Sequence, residues 1–208
     1  MYAIITDGSI SRYVNHPRPL VIGDVQYPAR IFSAWTASEL AAIGIIEVTF
    51  DDSNKKDEKW YINTNQTYTY DASAGTVTAT YGTATAKAHA DTTWSQQDSD
   101  DGDLPSDKSV GDVKVEGLKT ILIRTIKQQA AGILQDTDWY IVRKADAGTA
   151  VPSSITTHRA AVRTKAAEME TAITNASNTP ALEILYTYTR QEDGSVTRPL
   201  GEFPELGS

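Results

Sequence analysis

The chain has 208 residues, no cysteine, and 27 acidic against 19 basic side chains, for a formal net charge of −8. That length holds one ordinary domain or two small ones, with enough apolar residues to bury a core. The absence of cysteine excludes disulfides, thiolate nucleophiles and Cys-based zinc or iron–sulfur sites, and the negative charge opposes binding to nucleic-acid phosphates and anionic membrane surfaces. The longest apolar runs, such as residues 41–46, fall far short of the roughly 20 residues that span a bilayer. Asp7 interrupts the start where a secretion signal would run apolar. The expectation is a protein that stays in the cytosol where it is made, or leaves it as part of an assembly.

The front of the chain is β-rich. Tyr2 to Thr6 carries β-branched residues, Asp7-Gly8 is a tight hairpin turn, and Ser9 to Val14 should return beside it. Pro17 and Pro19 break the ladder before a short extended piece at Leu20 to Ile22, and Gly23-Asp24 is another turn. Tyr27-Pro28 should keep the chain out of a helix until Thr36, where Thr36-Ala37-Ser38-Glu39 fits a capping box for a helix over Ala37 to Ala42 that ends at Gly44. Trp35, with apolar neighbours, reads as a buried anchor in preference to a sugar-stacking platform.

Residues 45–87 read as strands. Ile46, Val48 and Phe50 alternate with Glu47 and Thr49, giving one wet face. A charged loop follows over 51–59, then strands at Trp60-Tyr61-Ile62, 66–70 and 76–87, separated by Asn63-Thr64-Asn65 and by a turn at 71–75. Tyr68, Tyr70 and Tyr81 alternate with threonine, so one face is aromatic. Such a face packs within the protein or on a neighbour more often than it stacks on carbohydrate.

Between His89 and Gly111 six aspartates crowd a stretch poor in apolar residues, which predicts a solvated linker. The run Asp98-Ser99-Asp100-Asp101-Gly102-Asp103 clusters oxygen ligands but lacks the closing acidic residue of a calcium-binding EF-hand loop.

Residues 115–176 predict two amphipathic helices. The first places Val115, Leu118, Ile121, Leu122, Ile126, Ala130, Ile133 and Leu134 on one face and stops near Asp136. The second opens at Ser153 or Ser154 after Pro152, with a hydroxyl as cap, and its stripe is Ile155, Val162, Ala166, Met169 and Ile173. Two sticky faces this close in sequence predict an antiparallel hairpin joined by a Trp139-bearing turn. Asp136 and Asp138 lack a nucleophile beside them and read as caps, not as an acid–base pair. Arg143, Arg159, Arg163 and Lys165 read as polar faces of the hairpin, and His16, His89 and His158 are too scattered for a metal or a triad. Thr179-Pro180 should end the helical region, with a β-prone run at 182–189 and a last hairpin about Glu192-Asp193-Gly194. Phe203-Pro204 suits a partner's groove or a fold back on its own domain.

The string Ile133-Leu134-Gln135-Asp136-Thr137-Asp138-Trp139-Tyr140-Ile141-Val142-Arg143, then Val151-Pro152, then His158-Arg159-Ala160-Ala161-Val162-Arg163, resembles a helical pair near the C-termini of tailed-bacteriophage tail-fibre and tail-assembly proteins. Tyr27-Pro28-Ala29, Trp35, Glu39-Leu40, Gly44-Ile45 and Glu47-Val48 are similar to the opening of the same proteins, so the two matches cover about half the chain, in the family's order. The resemblance implies a virion tail protein made in the host bacterial cytoplasm: a baseplate, neck or fibre subunit that assembles with other tail proteins and with copies of itself. It implies an α+β chain with a β-rich attachment domain over 1–90 containing one short helix, an acidic linker over 91–112, and over 113–208 an antiparallel helical hairpin with a final β-hairpin or extended tail. Trp35, Trp60, Tyr61, Trp139 and Phe203 are the expected partner-interface residues. Catalysis, cofactor and metal are not expected, since the sequence has no Gly-rich phosphate loop, nucleophile elbow or spaced ligand set. Two alternatives are a tail-fibre assembly chaperone absent from the mature particle and a carbohydrate-binding module that would use Trp60, Tyr61, Tyr68 and Tyr70 on a host glycan.

Overall fold

A computed structural model of the chain describes residues 1–64 and 66–207; the turn expected at Asn63-Thr64-Asn65 includes Asn65, which lies outside the described residues. Helices and strands both contribute, and the chain divides into two compact units, Met1–Thr85 and Ala86–Ser208. Among the described residues no helix is long and apolar enough to cross a membrane.

The first unit contains β1 (Tyr2–Thr6), β2 (Ser9–Val14), β3 (Leu20–Ile22), β4 (Val25–Tyr27), α1 (Ile31–Ala34), α2 (Ala37–Ala42), β5 (Ile45–Asp51), β6 (Tyr61–Ile62), β7 (Gln66–Asp71) and β8 (Thr76–Tyr81), and β9 (Thr85–Ala86) straddles its end. Five strands form one sheet in the order β2-β1-β5-β8-β7. Every pairing is antiparallel except β5 with β8, which run parallel with Val48 opposite Val77. Neighbouring residues of a strand point to opposite faces, and in β1 both Ala3 and Ile4 are buried, so both faces of the sheet are covered. On one face Ile4 and Ile45 join Val14, Leu20, Ile31, Phe32 and Leu40. On the other, Ala3, Val48, Val77 and Ala79 pack with Tyr68 and Tyr70, so the aromatic face is an internal one. The sheet curls about this second face until Tyr13 on one edge strand meets Tyr68 on the other, with ring centroids 4.7 Å apart.

The capping box at α2 is present as the sequence predicts. The Thr36 hydroxyl accepts from the Glu39 amide, and the Glu39 carboxylate accepts from the Thr36 amide at 2.7 Å. Gly44 then takes φ +79 and its carbonyl accepts from the Ile5 amide at 2.8 Å, tying the turn to β1. Two short elements lie where the sequence suggested none. β4 pairs with β3 around Gly23-Asp24, and α1 forms directly after Pro28, because the residues that follow a proline, unlike the one before it, are free to turn helical.

The second unit contains β10 (Thr92–Thr93), α3 (Gln96–Asp100), β11 (Val113–Val115), α4 (Leu118–Gln135), α5 (Asp138–Ala147), α6 (Ser153–Asn175), α7 (Thr179–Tyr186), β12 (Thr189–Arg190) and β13 (Val196–Thr197). The acidic segment expected as a linker is therefore structured. Its carboxylates act as caps: Ser95 and Asp98 form a capping box at α3, Lys114 pairs with Asp98, and β10 pairs with β11. Asp91 accepts from the Gly117 amide at 2.6 Å and the Thr120 hydroxyl at 2.8 Å, closing the first turn of α4. The ionised form is favoured by the Gly117 amide and the Thr120 hydroxyl at Asp91, and by the Lys114 ammonium and then the Ser95 hydroxyl and amide at Asp98, so both pKa values are lowered from the ordinary aspartate value.

α4 and α6 pack side by side in opposite directions. Lys119 near the start of α4 donates to the Thr174 carbonyl at 2.8 Å, Lys127 pairs with Glu170 at 3.4 Å, and the Leu134 carbonyl at the other end meets Arg159 at 2.7 Å. The expected stripe on α6 is buried throughout, at Ile155, Val162, Ala166, Met169 and Ile173; on α4 it narrows to Leu122, Ile126 and Ala130. Val115 lies outside the helix and is 60% exposed. Pro152, not a serine hydroxyl, occupies the N-cap of α6. The predicted Trp139 turn is instead the ten-residue α5, ended by Gly148 in the left-handed conformation. The β-prone run after Thr179-Pro180 is also helical. Proline fits the first turn of a helix, the Asn178 side chain accepts from the Ala181 amide, and Leu182 is fully buried. A final hairpin does form about Glu192-Asp193-Gly194, with Thr189 opposite Thr197, but its first strand is the two-residue β12 and not the 182–189 run.

Candidate functional site

Arg159 organises the end of the helical layer. It sits four residues after Ile155 and three before Val162, on the buried stripe of α6, and is 7% exposed. One guanidinium nitrogen donates to the Leu134 carbonyl and the Thr137 hydroxyl, each at 2.7 Å, and the other donates to the Asp138 carboxylate at 2.8 Å. The planar fork thus binds the last turn of α4 and the first residue of α5 at once. Thr137 also donates to the Leu134 carbonyl at 3.0 Å, so the break between α4 and α5 is held by mutually satisfying groups. The expectation that Arg159 lies on a polar face is overturned. The signal was available in the spacing, since a residue inside a 3.6-period stripe is buried whatever its charge.

What this junction positions is α5. None of its residues is buried, and Trp139, Ile141 and Val142 are 51%, 43% and 65% exposed. Trp139 stacks on Tyr140 with centroids 3.8 Å apart, and the Arg143 guanidinium lies 4.6 Å from the Trp139 ring. Trp139 and Val142, three residues apart, share one exposed face of α5, Ile141 lies on another, and the root of the helix is held by the Arg159 bonds.

Of the five expected interface residues, Trp35, Trp60 and Tyr61 belong to the first unit and Trp139 and Phe203 to the second. Trp35 is half-buried, packs against the first unit's core and meets Tyr27 edge-on at 5.8 Å, in agreement with the anchor reading. Trp60 and Tyr61 are 3% and 5% exposed, each covered by a lysine, Lys59 and Lys56, whose ammonium lies 4.5 Å from the ring. Their expected place at a partner interface is corrected: both are buried within the chain and offer a partner almost no surface. Phe203 is half-buried and folds back on the second unit, lining a cavity with Ile133, His158 and Pro204. Only Trp139 stands free. Among the described residues, no three His, Asp or Glu side chains gather in a group that could hold a metal ion. No family model matches the chain, and no curated protein or solved structure does.

Proposed function

We propose that this chain is a structural subunit of a bacteriophage tail, a baseplate, neck or fibre component that acts by protein–protein assembly and performs no catalysis. The observation that supports assembly is α5, a helix that buries none of its own residues yet is fixed at its root by a buried arginine and carries Trp139, Ile141 and Val142 outward. A soluble chain has no folding gain from ordering such a helix, whereas a neighbour that covers it gains a rigid aromatic anchor, the residue type that dominates binding energy at interfaces. In this reading α4 and α6 form a helical hairpin that serves as a stalk, and α5 is what the stalk presents to other tail proteins or to copies of the chain. The phage assignment rests on the resemblance of the Leu134, Thr137, Asp138 and Arg159 strings, whose residues are the ones that meet at the junction. Burial of Trp60 and Tyr61 leaves the glycan-binding alternative without half of its aromatic platform.

The test is incorporation. Purified tailed particles made with a tagged chain should contain it, and Val142→Asp, which puts a charge on the face shared with Trp139, should abolish incorporation while leaving the melting temperature unchanged. Absence of the unmodified chain from purified particles would replace this reading with that of an assembly chaperone.

A further inference from the structure

The seam between α4 and α6 uses one side of each helix. At about 100° per residue, a position two beyond a buried one faces roughly the opposite way. On α4, Arg124 and Gln128 stand so with respect to Leu122 and Ile126, and on α6 Thr164, Glu168 and Thr171 stand so with respect to Val162, Ala166 and Met169. All five are exposed. The hairpin therefore has two outer faces, one on each helix, pointing away from the shared seam in opposite directions. Each bears a shallow groove, of about 470 Å³ along α4 and about 580 Å³ along α6.

The two faces differ in side-chain size and in sign of charge. The α4 groove is lined by the long side chains of Ile123, Arg124, Lys127 and Gln128, and the helix carries Lys119, Arg124 and Lys127 with no acidic residue. The α6 groove sets Thr164, Ala167, Thr171 and Ala172 around one carboxylate, Glu168. Arg124 pairs with Glu116, Lys127 with Glu170 and Glu168 with Lys165, yet the three side chains stay 51%, 64% and 61% exposed. Donors on both cations and lone pairs on the carboxylate are left over for a partner from outside.

We propose that the outer face of α4 in one copy of the chain packs on the outer face of α6 in a second copy. Long side chains against small ones let the helix axes approach, and Arg124 and Lys127 meet Glu168. Pairing α4 with α4 would oppose like charges, and so would α6 with α6, so electrostatic complementarity selects the unlike pair. Because the two faces lie on opposite sides of the hairpin, every copy uses both, and the contact is heterologous: it joins copies head to tail and closes into a ring where the rotation allows. Neither face includes α5, so the contact goes beyond the tail role and does not rest on it.

Sedimentation of the full-length chain over the micromolar range tests the contact. The unmodified chain should associate, and less so as salt screens the charges. Ala167→Arg puts a long cation into the α6 groove and Ala131→Glu puts a carboxylate on the outer face of α4. Each should raise the concentration needed for association by about tenfold or more. Both alanines are exposed and both replacements are good helix formers, so the melting temperature should be unchanged at a concentration where the unmodified chain is also monomeric. An equimolar mixture of the two variants should associate again, because the altered α4 face then meets the altered α6 face with opposite charge and the remaining faces are unaltered. A chain that stays monomeric, an oligomer that either variant leaves intact, or a mixture no more associated than each variant alone overturns the proposal, whether or not the chain is found in purified particles.

Discussion

Replacing Arg159 by alanine should be among the most damaging single changes to the helical layer, and its size follows from what is left behind. The side chain loses three hydrogen bonds, to Leu134, Thr137 and Asp138. The first is part-buried and the second buried, and both are charge-assisted, each contributing about 1.5 kcal/mol. The Asp138 arm counts for less, because that carboxylate's side chain is 56% exposed and an exposed ion pair contributes at most about 1 kcal/mol. Neither of the first two acceptors is fully orphaned: the Leu134 carbonyl keeps the Thr137 amide at 3.1 Å and its hydroxyl at 3.0 Å. The net loss for Arg159→Ala should therefore be about 2–4 kcal/mol, including the space vacated by its alkyl stem. Urea denaturation followed by helical circular dichroism reads this as a lower midpoint at unchanged slope. Asp138→Ala should cost no more than about 1 kcal/mol, and amide exchange in α5 should rise far more in the arginine variant than exchange in α6. An Asp138→Ala loss equal to that of Arg159→Ala would refute the reasoning, since it would make the ion pair, not the bonds to Leu134 and Thr137, the source of the stability.

Other outcomes follow from features of both units. Gly44→Ala places a side chain at φ +79 with its Cβ 2.7 Å from the Ile5 carbonyl; the strained backbone should cost about 1–3 kcal/mol, read as a lower melting temperature, while Gly75→Ala, also at positive φ but with nothing nearby, should cost less. For acid stability, the folded pKa values of Asp91 and Asp98 lie below their unfolded values. Their contribution is complete above the unfolded value of about 4 and is lost as the pH falls below it. The second unit should therefore lose melting temperature from about pH 4 downward, and Asp91→Asn should flatten that slope; an unchanged slope would show the caps to be unimportant. Trp139→Asp should change stability by no more than about 0.5 kcal/mol in the isolated chain and abolish incorporation into particles, scored by mass spectrometry of the purified virion.

The sequence carried local chemistry well. The Asp7-Gly8 hairpin, the Thr36/Glu39 capping box, the Gly44 stop and the α6 stripe are each set by a few neighbouring residues, and each is present. What it did not carry was set by distant partners. The aspartates of residues 91–112 read as solvated because their composition is polar, yet Asp91 accepts from the amide of Gly117, the N-cap of α4, 26 residues later. The run after Pro180 is rich in strand-favouring residues, and burial of Leu182 decides for helix. Trp60 and Tyr61 resemble surface aromatics beside a charged loop, yet both are buried. At the junction the charge of Arg159 suggests a polar face, yet its spacing, like that of His158, falls within the buried stripe of α6.

Tyr13 against Tyr68 has a bearing on how the proposed tail subunit could polymerise safely. A sheet whose outermost strands lean together over their concave side offers a poor template for a foreign strand, since the unpaired amides and carbonyls of β2 and β7 no longer lie along a flat, open margin. Growth by strand addition, the route to uncontrolled fibres, is thereby discouraged in the first unit. The tail role proposed above would need that restraint, with copies joining through chosen side chains and never by endless backbone pairing.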